Sequence, residues 1–339
     1  MTRTVNVGLI GAGRIGRVHA ENLAYRIPEV NLSAVADVFI ESAEKLAADF
    51  QVPTATTNAQ AVLDDPAIEA VVICSSTDTH AQFISAAAKA GKHIFCEKPI
   101  ALELSTIDQA LADAAANNVK LQLGFNRRFD PHFKAARDMV AAGKIGQPNI
   151  VHIISRDPAP PPVDYIKVSG GIFLDQSIHD FDMARFLIGS EVEEIYAAGG
   201  VMVDPAIGEA GDIDTAVITL RFENGVIGTI DNSRRAVYGY DQRVEVFGSK
   251  GSVVVANPTP HTAVYSHAET VESAKPLYFF LERYMDAYAA EMRVFIDCIL
   301  DDTPPPVTGL DGRIPVVMGL AAWKSFRENR PVKLSEISA

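Results

Sequence analysis

The run "VNVGLIGAGRIGRVHAENLA" constrains the fold more than any other part of the chain. An apolar segment, Val5 to Ile10, leads into Gly11-Ala12-Gly13-Arg14-Ile15-Gly16 and then into a helical pattern. Three glycines in this spacing say little alone, but between a strand and a helix each acquires a task. Gly11 permits the tight turn, Gly13 lets backbone approach a pyrophosphate, and Gly16 lets helix and strand pack closely. Arg14 and Ile15 open the helix, whose free N–H groups face the phosphates. The next strand, "NLSAVAD", ends at Asp37, 21 residues beyond Gly16. A carboxylate at that distance is the partner of the adenosine ribose hydroxyls. It would repel the extra phosphate of NADP, and Val38 and Phe39 bring no arginine to neutralise it. NAD is the expected cofactor.

The strand–helix rhythm continues. "AVVICSSTDTH" is an apolar run ending in a polar loop and followed by a helix; "HIFCEKP" is another, with a helix from about Ser105; "VKLQLGFNRRF" closes a strand near residue 124. Such alternation predicts a doubly wound parallel sheet. Ligands of these sheets bind beyond the carboxyl ends of the strands. Ser75, Ser76, Thr77, Asp78, His80, Glu97 and Lys98 all fall there, and all but Asp78 are candidate cofactor residues.

Beyond residue 124 strands dominate: "IVHIISRDP", "EEIYAAGGVMV", "DIDTAVITLRF", "GVIGTIDNSRR", "RVEVFGSKG" and "SVVVAN". Asn224-Gly225 between two of them signals a hairpin. Helices are expected from about Phe280 to Leu300 and from about Ile314 to Arg327. The division predicted is a Rossmann-type NAD-binding domain over 1–123 and an α+β substrate domain over 124–339, with a large, mostly antiparallel open sheet. The proline-rich "DPAPPPVDY" is either a stiff connector or a wall beside the active site.

Bulk properties narrow the partners. The net charge of −13 argues against nucleic acid and anionic membrane, which call for clustered Lys and Arg. No apolar run reaches about 18 residues and no leader precedes the first strand, so a cytoplasmic protein is expected. Cys74, Cys96 and Cys298 are scattered and odd in number, consistent with reduced thiols, and nothing resembles a zinc site.

The chemistry is concentrated in "GGIFLDQSIHDFDMARFLIG". Asp175 and His179 are four apart, and Asp182 follows three later, so a helix would bring all three to one face. Oxidising an alcohol requires a base for the hydroxyl proton, and histidine beside a carboxylate meets that need. Which of the two contacts the substrate stays open. Lys98 can stabilise negative charge developing on the oxygen. Ser177 with Asp180 reads as a capping box, and Phe181, Ala184, Leu187 and Ile188 as the packing stripe. Asp182 has no task in the hydride chemistry and reads as structural, and no metal is expected.

The segments "GLIGAGRIGRVHA", "ICSSTDTH", "FCEKPI", "GFNRRFDPHF", "SRDPAPPPVDYIKVSGGIFLDQSIHDFDMARFLIG" and "SRRAVYGYDQRVEVFGSKG" together resemble the glucose–fructose oxidoreductase/inositol dehydrogenase/rhizopine catabolism family, nearest its inositol dehydrogenases. The resemblance implies that Lys98, Asp175 and His179 are the catalytic lysine, aspartate and histidine, with His179 the acid/base. It also implies that Arg127, Asp157 and Tyr238 contact a polyol, and that the second domain's sheet makes a homotetramer. Ser76 departs from the proline that many relatives carry in that loop. The expected activity is NAD-dependent oxidation of a ring hydroxyl of myo-inositol or a close cyclic polyol. The rivals are scyllo-inositol, chiro-inositol or an aldose as substrate, and a silent dinucleotide-binding regulator.

Overall fold

A computed structural model describes residues 3–337. The described residues separate into two compact units, one of 3–129 together with Asp286–Ile314, the other of Asp130–Met285 with 315–337.

The first unit is built on six parallel strands: β1 (Val5–Ile10), β2 (Val30–Ala36), β3 (Thr54–Thr56), β4 (Ala70–Ile73), β5 (His93–Glu97) and β6 (Leu121–Gly124), in the order β3-β2-β1-β4-β5-β6. This order reverses direction between β1 and β4, which is where doubly wound sheets bind dinucleotides. Every residue of β4 is buried, as expected of a strand covered on both faces. One core joins Val5, Val7, Leu9, Leu23, Val35, Val72 and Phe95 to Met292, Phe295, Ile296 and Ile299. Those last four belong to the helix Met285–Leu300. A single boundary at 123/124 would assign that helix to the second domain; its apolar face instead completes the core of the first unit.

The second unit carries seven strands, β7 (Pro148–Arg156), β8 (Val192–Gly200), β9 (Thr215–Phe222), β10 (Ile227–Ser233), β11 (Asp241–Gly248), β12 (Gly251–Val255) and, past the exposed hairpin β13 (Val264–Ser266)–β14 (Val271–Ser273), β15 (Val332–Lys333). Their order is β12-β11-β7-β10-β9-β8-β15, antiparallel throughout except for β7 with β10. Along β9 buried residues alternate with open ones, so one face is packed and the other free. Gly225, at φ +87°, makes the tight turn joining β9 to β10. The helix Ser177–Ile188 lies on the packed face, against β7 and β10.

Two helices differ from their expected bounds. The expected helix 280–300 is broken at Tyr284, whose buried ring packs edge-on against Tyr240. The last helix begins at Gly309, not 314. Gly309, Gly312 and Pro315 read as breakers, yet a Cβ on Gly312 would lie 2.8 Å from Ile100 and 2.9 Å from Leu123. The glycine serves close packing inside a helix.

Candidate active site

In the first unit the glycine loop has the shape a dinucleotide needs. Gly11 sits at φ +103°, and a Cβ there would come 2.4 Å from the Cys74 carbonyl oxygen. A Cβ on Gly16 would lie 1.9 Å from the Gly11 carbonyl oxygen, whereas Gly13 faces open space. The helix Arg14–Tyr25 starts with no side-chain cap at Gly13, at the end where a helix attracts an anion. Asp37 accepts the Ala12 N–H at 2.7 Å and the Phe39 N–H at 2.9 Å, which ties the end of β2 to the glycine loop. Each oxygen keeps a second acceptor position, so the carboxylate fits ribose hydroxyls as well. Val38 and Phe39 beside it are exposed and apolar.

The loop after β4 is internally braced. Ser75 Oγ lies 2.7 Å from Thr79 Oγ1, which donates to the Ser76 carbonyl at 2.7 Å. Ser76 is exposed and immediately precedes the helix opened by Thr77. His80 is buried, with its ring nitrogens 2.8 Å from the Pro99 carbonyl and 3.0 Å from the Ser75 carbonyl. It therefore joins the loop after β4 to the segment after Lys98. Lys98 itself follows the last residue of β5 and precedes a cis-linked Pro99. Glu97, which the sequence offers as a cofactor residue, is turned to His19, with Oε1 2.7 Å from Nε2. Arg127 is buried on the single turn Asn126–Phe129 directly after β6, the neighbour of β5, so Lys98 and Arg127 leave adjacent strand ends.

In the second unit Asp175 ends the helix Gly171–Asp175, and Gln176 (φ −92°, ψ −59°) passes in the helical region into Ser177–Ile188. The one-turn offset of Asp175 and His179 is thereby kept. Gln176 anchors this turn by donating to the Ser155 and Ser233 carbonyls at the ends of β7 and β10. Asp157 starts the next loop, its N–H also donating to the Ser233 carbonyl. The helix Ser177–Ile188 is buried along almost its whole circumference, and His179 is one of its two partly open positions, with Phe186.

Two groups that the sequence reading did not single out hold Asp175. Arg234, fully buried just past β10, donates to Asp175 at 3.1 Å and to Asp212 at 3.4 Å. Tyr165 donates its hydroxyl to Asp175 at 2.9 Å. Burial works against the guanidinium's charge, and the carboxylates of Asp175 and Asp212 more than offset it. Burial and the Asp175 charge push the Tyr165 hydroxyl well up, so it stays a neutral donor. The proline-rich segment thus delivers a side chain to Asp175.

The remaining expectations distribute differently. Ser177 and Asp180 do not cap the helix: Ser177 donates to Asn232 at 2.5 Å, and Asn232 donates to Asp180 at 2.8 Å. Both face the interior, where the Asn232 amide of β10 takes the bonds a capping box would make. Asp182 is buried. Tyr238 donates to Asp241 at 2.5 Å and accepts from Arg156 at 3.1 Å, within a network that includes Asp231.

The chain matches two family descriptions: "Oxidoreductase family, NAD-binding Rossmann fold" over residues 5–125, and "GFO/IDH/MocA C-terminal domain" over 133–254. It is 50% identical to the myo-inositol 2-dehydrogenase of Thermotoga maritima, covering 98% of this chain and 99% of that one. It is 46% identical to the inositol 2-dehydrogenase of Rhizobium meliloti, covering 98% and 100%. Among solved structures it superposes on the myo-inositol dehydrogenase of Lactobacillus casei in complex with NAD(H) and myo-inositol, with a TM-score of 0.88, 26% identity and coverage of 99% and 97%.

Proposed function

The chain belongs to the GFO/IDH/MocA oxidoreductase family, and from that premise we propose that it oxidises a ring hydroxyl of myo-inositol, giving the keto-inositol. NAD, when bound, accepts the hydride that leaves the ring carbon. One observation carries the reading: Asp175 is fixed from two sides, by Arg234 and Tyr165, one helical turn from a partly open histidine.

His179 takes the proton of the reacting hydroxyl, a contribution of about 10²–10⁴ in rate for a well-placed base. Asp175, unable to rotate between its two donors, orients the imidazole or a neighbouring hydroxyl and stabilises the imidazolium. Lys98 supplies positive charge to the oxygen as its proton departs. Arg127, Asp157 and Tyr238 are proposed polyol contacts. The Tyr238 hydroxyl donates to Asp241 and accepts from Arg156, which leaves it one acceptor position for a polyol hydroxyl.

The experiment is a panel of myo-, scyllo- and chiro-inositol and aldoses with NAD or NADP, following reduced nicotinamide. The expected outcome is fastest reduction with myo-inositol and NAD. Faster turnover of another isomer would reassign the substrate, and no turnover of any polyol would overturn the enzymatic reading.

A homotetramer is proposed through the open face of the seven-stranded sheet. Val217, Ile227, Phe247 and Val254 are about half exposed or more on β9 to β12, a larger apolar display than scattered surface residues give. A reducing, cytoplasmic setting suits three unpaired thiols. Among the described residues no helix is long and apolar enough to cross a membrane.

A further inference from the structure

Behind the end of β5 lies a group of ionisable side chains to which the proposed chemistry gives no task. His19, Glu97 and Glu291 come from three elements, the helix Arg14–Tyr25, β5 and the helix Met285–Leu300. Their candidate ligand atoms all lie within 4.8 Å of one another. His19 and Glu291 have no exposed surface, and the Glu97 side chain is 13% exposed. Both carboxylate oxygens of Glu291 are buried and make no hydrogen bond.

Such a set holds either a cation or protons, and the spacing decides. His19 Nε2 and Glu97 Oε1 are 2.7 Å apart, a hydrogen bond with a proton between them. Two ligands of one tetrahedral ion, bonded at about 2.0–2.1 Å, would stand about 3.3 Å apart. Among the described residues, His19, Glu97 of β5 and Cys74 just after β4 stand around Glu291, with Tyr288 one turn back on its own helix, whose ring meets His19. Phe95 closes the other side of the imidazole at 4.9 Å. An ionised Glu291 would therefore face a second carboxylate in an apolar shell.

We propose that Glu291 stands protonated in the folded protein and, with the His19–Glu97 pair, forms a proton-holding trio that fixes the end of β5 from which Lys98 leaves. Burial and the Glu97 charge act together in that direction, raising the Glu291 carboxyl well above its ordinary range. Glu97 is the positioning residue of the trio. Its carboxylate is wedged so closely over β6 that a Cβ on Gly124 would lie 2.9 Å from it.

The test uses the full chain and needs no substrate. A glutamate in the unfolded chain titrates near about 4.3. Above that value the folded protein holds one proton more than the unfolded chain, until Glu291 itself ionises. Stability contributed by the protonated acid is therefore complete below that value and declines as pH rises. Glu291→Gln has the same shape and no proton to lose. Its unfolding constant relative to the wild type should fall by up to tenfold per pH unit above about pH 4.3. A wild-type infrared C=O band of a protonated carboxyl should vanish in the same variant. A pH-independent ratio, a ratio of opposite slope, a Glu291→Gln chain that fails to fold, or stoichiometric divalent metal lost on that substitution would each overturn the proposal.

The link to Lys98 rests on the proposed function and is read separately. Glu97→Gln should lower kcat on the polyol more than tenfold while the Kd for NAD stays within twofold. Equal losses in both would overturn the positioning role. If no polyol is turned over at all, the functional reading fails and the proton result stands untouched.

Discussion

Asp175 and His179 differ in what surrounds them, and the difference predicts how substitutions nearby behave. His179 is partly open, so His179→Ala should leave the melting temperature nearly unchanged while lowering turnover by about 10²–10⁴, with NAD binding retained. Arg234 is fully buried between two carboxylates. Arg234→Met leaves Asp175 and Asp212 without their cation, and breaking a buried pair costs about 3–5 kcal/mol. Thermal melts and steady-state kinetics on both variants separate the cases. Near-normal turnover of His179→Ala removes it from the mechanism, and an unshifted melt of Arg234→Met removes the guanidinium from the structural frame. The one-turn offset of Asp175 and His179 was legible because it is a local relation. Arg234 and Tyr165 were not, because their bond to Asp175 spans 59 and 10 positions and needs the path of the chain to be known.

At the level of elements, the strand–loop–helix unit opening the chain was readable because its glycine spacing is local: Gly16 answers to the Gly11 carbonyl inside the unit, whereas the close approach of Gly11 to Cys74 needs the fold. The placing of Asp37 was half readable. Its distance from Gly16 is the ground for proposing a ribose carboxylate, while its bond to the Ala12 N–H, which makes it the clasp between β2 and the glycine loop, appears only in the fold. Asp37→Ala should therefore weaken NAD about 10- to 100-fold, the size of a charge-assisted hydrogen bond, and narrow the gap to NADP. Titration of both dinucleotides checks this, and an unchanged preference would sink the ribose assignment. Helix ends were harder. Ser177 and Asp180 have the spacing of a capping box, and only the position of Asn232 on β10 shows that both are spent across the packing interface.

For the molecule as a whole, the two-part architecture follows from the change of rhythm near residue 124, while the true membership of each part does not. Nothing local marks Met292, Phe295, Ile296 and Ile299 as core of the first unit, because their partners lie in strands near the other end of the chain. Each such side chain is worth about 1.5–3 kcal/mol when buried. A chain ending at Phe129 should accordingly lack a cooperative melt and bind a hydrophobic dye. Fusing residues 285–314 to it through a flexible linker should restore the transition. A sharp melt of the shorter chain alone would reject this account.

That return of the chain sets a schedule. The dinucleotide half is made first, yet 156 residues separate Phe129 from Asp286, where the missing core begins to arrive. At about 5–20 residues per second, the early half emerges from the ribosome and waits roughly 10–30 s with part of its core unfilled. The protein is thus finished last where it was begun first. The half made first is the one whose survival during synthesis depends on what the cell does with unfinished apolar surface.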